Sequence, residues 1–435
     1  MGERWTELRL GPLRAPVILW LLVALFLIVD VVAAAVLLPR QPPGMDFLPL
    51  WTAAKADPSR LYDFHYITGL QTSSHEKLRP FIYPPSTLVG LWPLGLLPFQ
   101  SAYLVFIVAG AALFAWAAKR LGADWRLALI VPPAFLAVVT GQMTLLIGGL
   151  VMAAISLPTR PLVAGLLYGL AGAMKPQMLV LLPLALIAER NWKAFASTGL
   201  TAALVCAGSL ATGASWVAWI EALPRFGEVV RAHGGFVEAS VSPYFVLGWP
   251  GIAVALPVAL TCVWLAFRSE GQAVRVLALL AGALAVSPYA LKYELAMLAP
   301  AVLASRSRLA WPVMGLLGIS LSPHMGIIAL AGVMALVVYE LVARTSAGSY
   351  CSLSSRLSTL PMWLRGRWST TRTSERRWVL PSWALAHWRS SSGSMGDFSA
   401  TKATGVSPQS LDGTPTTAAS ATAGCWTITA SRSLG

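Results

Sequence analysis

The chain has 435 residues, 56% of them hydrophobic and 11% charged, with a formal net charge of +14. A soluble globular domain carries about 25% charged residues, so this composition points away from one and toward an all-α polytopic membrane protein. The surplus of Lys and Arg reads as loop charge that sets topology, which argues against a nucleic-acid partner. The four cysteines form neither a metal spacing nor a disulfide framework, and no metal or cofactor is expected.

Arg4, Arg9 and Arg14 precede an apolar run from Ala15 to Leu38. The run exceeds the about 7–15 residues of a signal-peptide core, and it predicts an uncleaved first transmembrane helix. Asp30 inside it has two readings: a functional intramembrane carboxylate, or one facing the bundle or lying near the outer end. A long polar loop follows, from Arg40 to Pro85. It opens with Gly44-Met45-Asp46-Phe47 and closes with Phe81-Ile82-Tyr83-Pro84-Pro85. Trp51, Tyr62, His65, Tyr66 and His75 suit the membrane–water interface. Residues 87–99 are broken by Pro93 and Pro98. At about 1.5 Å per residue they cannot span a core of about 30 Å, so a surface or re-entrant helix is predicted. Residues 100–118 form a full span ending at Lys119-Arg120.

The segments then shorten. Residues 127–139, 143–157, 161–174 and 178–188 are separated by Thr140-Gly141-Gln142, Thr159-Arg160 and Lys175-Pro176-Gln177. Helices of about 13–15 residues reach some 20 Å. Irregular backbone at membrane depth needs cover from protein or a wet cavity. The breaks at Gly141-Gln142 and Lys175-Pro176 therefore imply an internal cavity open on one side. Residues 194–212 form another span. The loop 213–247 places Trp216, Trp219, Leu223, Phe226 and Val230 at roughly helical spacing, which predicts an amphipathic helix on the membrane. Residues 248–267, 273–288, 293–304, 309–321 and 325–343 complete a bundle of roughly 11–13 transmembrane or partly inserted helices.

With the N-terminus in the cytoplasm, the short loops carrying Lys119, Arg120, Arg126, Arg160, Arg190, Lys193, Arg268, Arg275, Arg306, Arg308 and Arg344 fall inside, as the positive-inside rule asks. Asp46, Tyr83, Gln142, Lys175, the 213–247 loop, Lys292, Glu294 and His324 then fall on the extracytoplasmic face. A carboxylate where a membrane helix meets water suits a general base acting on lipid-bound substrates, and Asp46 is that candidate. Asp63 and His65 read as loop solvation.

Residues 345–435 differ in kind, being rich in Ser, Thr, Arg and Trp, with nine Lys/Arg against three acids. The stretch reads either as a disordered basic tail at anionic lipid or as a frame-shifted translation. Six tryptophans scattered through a polar stretch favour the second.

Four motifs in order carry a family resemblance. Met45-Asp46-Phe47 with Trp51, Leu61-Tyr62-Asp63 and Phe81-Ile82-Tyr83-Pro84-Pro85 resemble the first outer loop of glycosyltransferase family 87. Gly141-Gln142-Met143-Thr144-Leu145-Leu146 resembles its Gly-Gln helix start. Arg160 to Leu170 followed by Lys175-Pro176-Gln177 resembles its central block, and Ser287-Pro288-Tyr289 to Leu295 its late Ser/Thr-Pro-Tyr block. The resemblance covers about residues 40–344. It implies a GT-C architecture for the domain 1–344, with outer loops at about 40–86 and 213–247. The implied activity moves a hexose (mannose-like) or a pentose from a polyprenyl-phosphate donor to a lipid or glycan acceptor. The reaction would take place at the outer face of a bacterial inner membrane. Relatives often carry acids where Lys292 and Glu294 stand, so Lys292 reverses a charge near the expected site.

On that reading Asp46 takes the acceptor proton, with His324 as a second acid/base candidate. Lys175, with Lys292 as a further candidate, neutralises the leaving phosphate. Gln142, Tyr83 and Tyr289 position oxygens, and Glu294 lines the site. Each residue has a plainer reading: Asp46 as a solvated cap, Lys175 as a snorkelling lysine, Tyr83 in a rigid turn, Gln142 satisfying freed backbone, His324 as structure. The rival function classes are a transporter or flippase for a lipid-linked saccharide and a scaffold subunit.

Overall fold

The computed structural model describes residues 15–39, 42–71, 79–232, 238–268, 272–287, 289–305, 307–340, 368–370 and 376–378. They fall in two units, Met1–Val342 and Ala343–Gly435. The expectations for Arg4, Arg9, Arg14, His75, Pro288, Arg306, Arg344 and most of the tail lie outside the described residues.

The first unit is a helical assembly. Among the described residues three helices are long and apolar enough to cross a membrane: α1 (Ala15–Leu37) in its Val17–Leu37 part, and the helices Phe99–Arg120 and Trp192–Leu210. In chain order come α2 (Leu48–Ala53), α3 (Phe64–Leu70), α4 (Thr87–Gly95), α5 (Phe99–Arg120), α6 (Trp125–Ile130), α7 (Pro132–Thr140), α8 (Thr144–Ile155), α9 (Pro161–Met174), α10 (Leu182–Ala188) and α11 (Trp192–Leu210). Then follow α12 (Trp216–Ala232), α13 (Pro243–Leu247), α14 (Trp249–Arg268), α15 (Gln272–Val286), α16 (Ala299–Ala304), α17 (Ala310–Ile319) and α18 (Met325–Glu340).

The core is α8, which is buried along nearly its whole length, together with α15 and the 292–304 stretch. α8 packs between α5 and α9, and α15 packs on α14. Large apolar side chains face outward on α1 (Trp20, Leu21, Ile28, Val31), α5 (Leu104, Val108) and α11 (Leu200, Leu204). Monomers in water rarely expose contiguous apolar patches beyond a few hundred Å², whereas such faces match lipid. α9 and α11 approach backbone to backbone. A Cβ on Gly165 would lie 2.5 Å from the Ala194 carbonyl oxygen, and one on Gly169 2.5 Å from Thr201 Cβ.

Several predicted segments are subdivided. The 127–139 segment breaks at Val131, whose backbone is extended (ψ 133°) ahead of Pro132. A residue before proline is pushed out of the α region, and proline is well placed at the first helical position. The 178–188 segment becomes a 3-10 turn, Pro176–Leu179, followed by α10. The 293–304 segment starts as a 3-10 helix, Lys292–Leu298, before α16. α4 is short, as expected, but it runs through Pro93 and ends at Gly95, while Pro98 caps the start of α5. α12 forms across the expected amphipathic stretch, but its indoles also face protein: Trp219 Nε1 donates to the Ile82 carbonyl at 3.0 Å. Phe226 meets Tyr289 edge-on at 5.4 Å. In the second unit, β1 (Trp368–Thr370) pairs antiparallel with β2 (Arg376–Trp378), Trp368 opposite Trp378.

Candidate active site

The turn after α1 is fastened to the end of α7. Gly44 N–H donates to the Val139 carbonyl at 2.8 Å and Asp46 N–H to the Thr140 carbonyl at 2.7 Å. These are carbonyls that a helix C-terminus leaves without an internal partner. Gly141 ends α7 in the left-handed region, φ +81°. Phe47 is fully buried and stacks on Phe106 at 4.9 Å between centroids. That anchor fixes the residue next to Asp46.

The Asp46 carboxylate is shared by two partners. Gln142 Nε2 donates to Oδ2 at 2.7 Å, and Arg79 Nη1 forms an ion pair with Oδ1. The side chain stays 24% exposed, so a substrate has access to it. Arg79 is itself placed by its backbone, whose carbonyl accepts from Gln71 Nε2 at 2.7 Å. Tyr83 OH donates to Gln142 Oε1 over a long 3.5 Å, and Tyr62 OH donates to the Tyr83 carbonyl at 2.9 Å. Burial first, then the charges of Asp46 and Glu294, hold the Tyr83 phenol above its ordinary range. It therefore stays a neutral O–H donor.

A second charged pair lies where α9 stops. Pro176 breaks the helix, and Lys175 takes an extended φ of −146° while its N–H still reaches the Ala171 carbonyl. Its ammonium pairs with Glu294, the side chains 4% and 0% exposed. Lys175 Nζ also sits 5.9 Å from the Tyr293 ring centroid. The second Glu294 oxygen, Oε2, is buried without a hydrogen-bond partner among the described residues. Buried charges persist only when paired, so the pair is a unit. Burial, then Asp46, Tyr83 and Glu294, push the Tyr289 phenol well up. Both carboxylates thus act on one cluster of tyrosines.

Asp46, Tyr83, Gln142, Lys175, Tyr289 and Glu294 come together. Lys292 and His324 are engaged differently. Lys292 Nζ donates to the Leu321 and Ser322 carbonyls, each at 2.9 Å, just past the end of α17. His324 is exposed, has φ +59°, and its N–H meets the Glu238 carbonyl at 3.4 Å. Asp63 caps α3, accepting from Tyr66 N–H at 3.0 Å, and pairs with Arg60. Those two contacts, Tyr66 first, hold its carboxyl below the usual range. Arg79 and Tyr293 are absent from the sequence-based candidates. The signal for Arg79 was its place two residues before Phe81, inside the loop already singled out. Among the described residues no group of three or more His, Cys, Asp or Glu is gathered as metal ligands.

Comparison with known proteins adds one decisive observation: a family model matches residues 81–291. The matched stretch belongs to glycosyltransferase family 87. No curated protein and no solved structure matches the chain. The match over that stretch implies glycosyl transfer, and the apolar helices are compatible with a membrane. Tyr83, Gln142, Lys175 and Tyr289 lie inside the family 87 match. Asp46, Lys292, Glu294 and His324 lie outside it.

Proposed function

We propose that the chain is a family 87 glycosyltransferase of GT-C architecture that transfers a hexose or pentose from a polyprenyl-phosphate donor to a lipid or glycan hydroxyl. The reaction takes place at the extracytoplasmic face of a bacterial inner membrane, with Asp46 as general base. The observation that carries this reading is the Asp46 carboxylate, partly exposed and aligned by Gln142 and Arg79 beside a cluster of neutral tyrosines.

The chemistry balances with these groups. The acceptor oxygen bonds to the anomeric carbon while its proton passes to Asp46. The bond from the anomeric carbon to the phosphate oxygen breaks, and its electron pair leaves with the phosphate. One positioned base contributes typically about 10²–10⁴-fold. The departing phosphate needs donors and positive charge rather than an acid. Arg79 is well suited to that role: a guanidinium has five N–H donors in a fixed fork. It can keep Asp46 aligned and meet a phosphate at once. Lys175 already has its charge balanced by Glu294, so the positive charge for the phosphate falls chiefly to Arg79. Tyr83 and Tyr289 offer O–H donors to sugar or phosphate oxygens.

Asp46→Asn keeps shape and removes the base. In membranes supplied with radiolabelled polyprenyl-phosphate sugar, transfer should fall at least about 100-fold at unchanged expression. Unchanged transfer would remove Asp46 from the mechanism.

A further inference from the structure

A cavity of about 650 Å³ lies between α5, α8 and α9, lined in part by Leu113, Trp116, Arg120, Arg160, Val163 and Leu167. None of its ten lining residues is acidic. Arg120 and Arg160 are both exposed, and among the described residues neither forms an ion pair. Arg120 rests 5.8 Å from the Trp116 ring centroid, which holds its charge beside the apolar wall. Arg160 is the N-cap of the 14-residue α9, whose first N–H groups and dipole add positive potential at the same mouth. The walls descend from these cations through Leu113, Val163 and Leu167, and α5 is one of the helices apolar enough to cross a membrane. Arg120 and Arg160 belong to the short basic loops that the positive-inside rule places on the cytoplasmic side.

We propose that this cavity binds an anionic glycerophospholipid of the cytoplasmic leaflet. Its phosphate sits between Arg120 and Arg160, and one acyl chain runs along Leu113, Val163 and Leu167. The apolar wall argues for a lipid over free phosphate, because an inorganic anion would leave that surface unmatched. The paired cations argue for an anionic over a zwitterionic headgroup. The inference stands apart from the proposed transfer reaction, whose residues it does not use.

The test is native mass spectrometry of the purified full chain. Phosphatidylglycerol and phosphatidylcholine with identical acyl chains are added in equal amounts, with inorganic phosphate as a separate competitor. An interfacial cation is worth about 5-fold, so the wild type should retain phosphatidylglycerol about 30-fold better than phosphatidylcholine. Arg120→Gln with Arg160→Gln should abolish that preference, while Arg190→Gln with Lys193→Gln, two other exposed cations, should preserve it. Leu167→Trp, which fills the groove and leaves both arginines in place, should reduce retention of both lipids. Melting curves identify any variant that is unfolded, and Arg120→Lys with Arg160→Lys then substitutes for it, with selectivity expected to persist. Equal retention of the two lipids by the wild type would overturn the proposal. So would selectivity that survives the double Gln change in a folded protein. Displacement of phosphatidylglycerol by millimolar phosphate would also overturn it, by showing a free-anion site.

Discussion

Gly141 and Phe47 meet with no room for a methyl group between them. A Cβ built on Gly141 would stand 2.5 Å from Phe47 Cβ and 3.1 Å from its backbone nitrogen. The contact joins the turn that carries Asp46 to the helix end that carries Gln142. It also sits at φ +81°, where a side chain costs about 1–2 kcal/mol even in open space. Gly141→Ala should therefore lower thermal stability by more than that backbone cost and reduce transfer as well, because the clash separates Asp46 from Gln142. Melting curves and a transfer assay on the same preparation check it. Wild-type values in both would mean that the two segments do not interlock.

Gln142→Leu tests alignment rather than proton removal. A hydrogen bond to a charged group is worth about 1.5–3 kcal/mol, so transfer should fall about 10- to 100-fold. The Asp46→Asn change should be the more severe of the two. The double change should be no worse than Asp46→Asn alone, because both act through one carboxylate. An additive loss would show that Gln142 acts on something other than Asp46.

Lys175 and Glu294 should behave as a pair in a double-mutant cycle. Lys175→Met or Glu294→Leu alone leaves an uncompensated buried charge, at about 3–5 kcal/mol. Replacing both removes the charge problem, so the double variant should be more stable than either single one. Denaturation of the four proteins in the same detergent gives the coupling. Simple additivity would show that the pair does not form.

Lys292→Met should lower stability and leave the donor KM unchanged. Its ammonium is committed to the Leu321 and Ser322 carbonyls, and removing it leaves those acceptors short of a donor. A raised donor KM at unchanged melting temperature would instead put Lys292 among the phosphate-binding groups.

Much of the site was legible because its residues interrupt apolar runs. Gln142 and Lys175 stand where α7 and α9 stop and Asp46 just ahead of α2, and a polar group at such a break has few uses beyond capping or chemistry. The pairing of Gly44-Met45-Asp46-Phe47 with Gly141-Gln142 was not legible, since it joins residues 96 positions apart in sequence. It depends on tertiary hydrogen bonds that leave no periodic trace. The pairing of Lys175 with Glu294 was hidden for the same reason: both were candidates, yet nothing local says that one neutralises the other. Arg79 was missed because an arginine in a polar loop looks solvated until its partner is known. The break at Lys175-Pro176 was legible, whereas the one ahead of Pro132-Pro133 was not. Hydrophobicity alone joins the run across Val131, and the backbone restriction falls on that residue before the proline.

The brevity of α9 bears on the bilayer itself. Its 14 residues rise about 21 Å, roughly 9 Å short of an ordinary hydrocarbon slab. Lys175 at one end and Arg160 at the other cannot both reach normal headgroup depth around an upright α9. Lys175 does not need that depth, because Glu294 balances its charge inside the protein. A helix too short for the slab can therefore end within the bundle, with its terminal cation kept away from lipid and water alike.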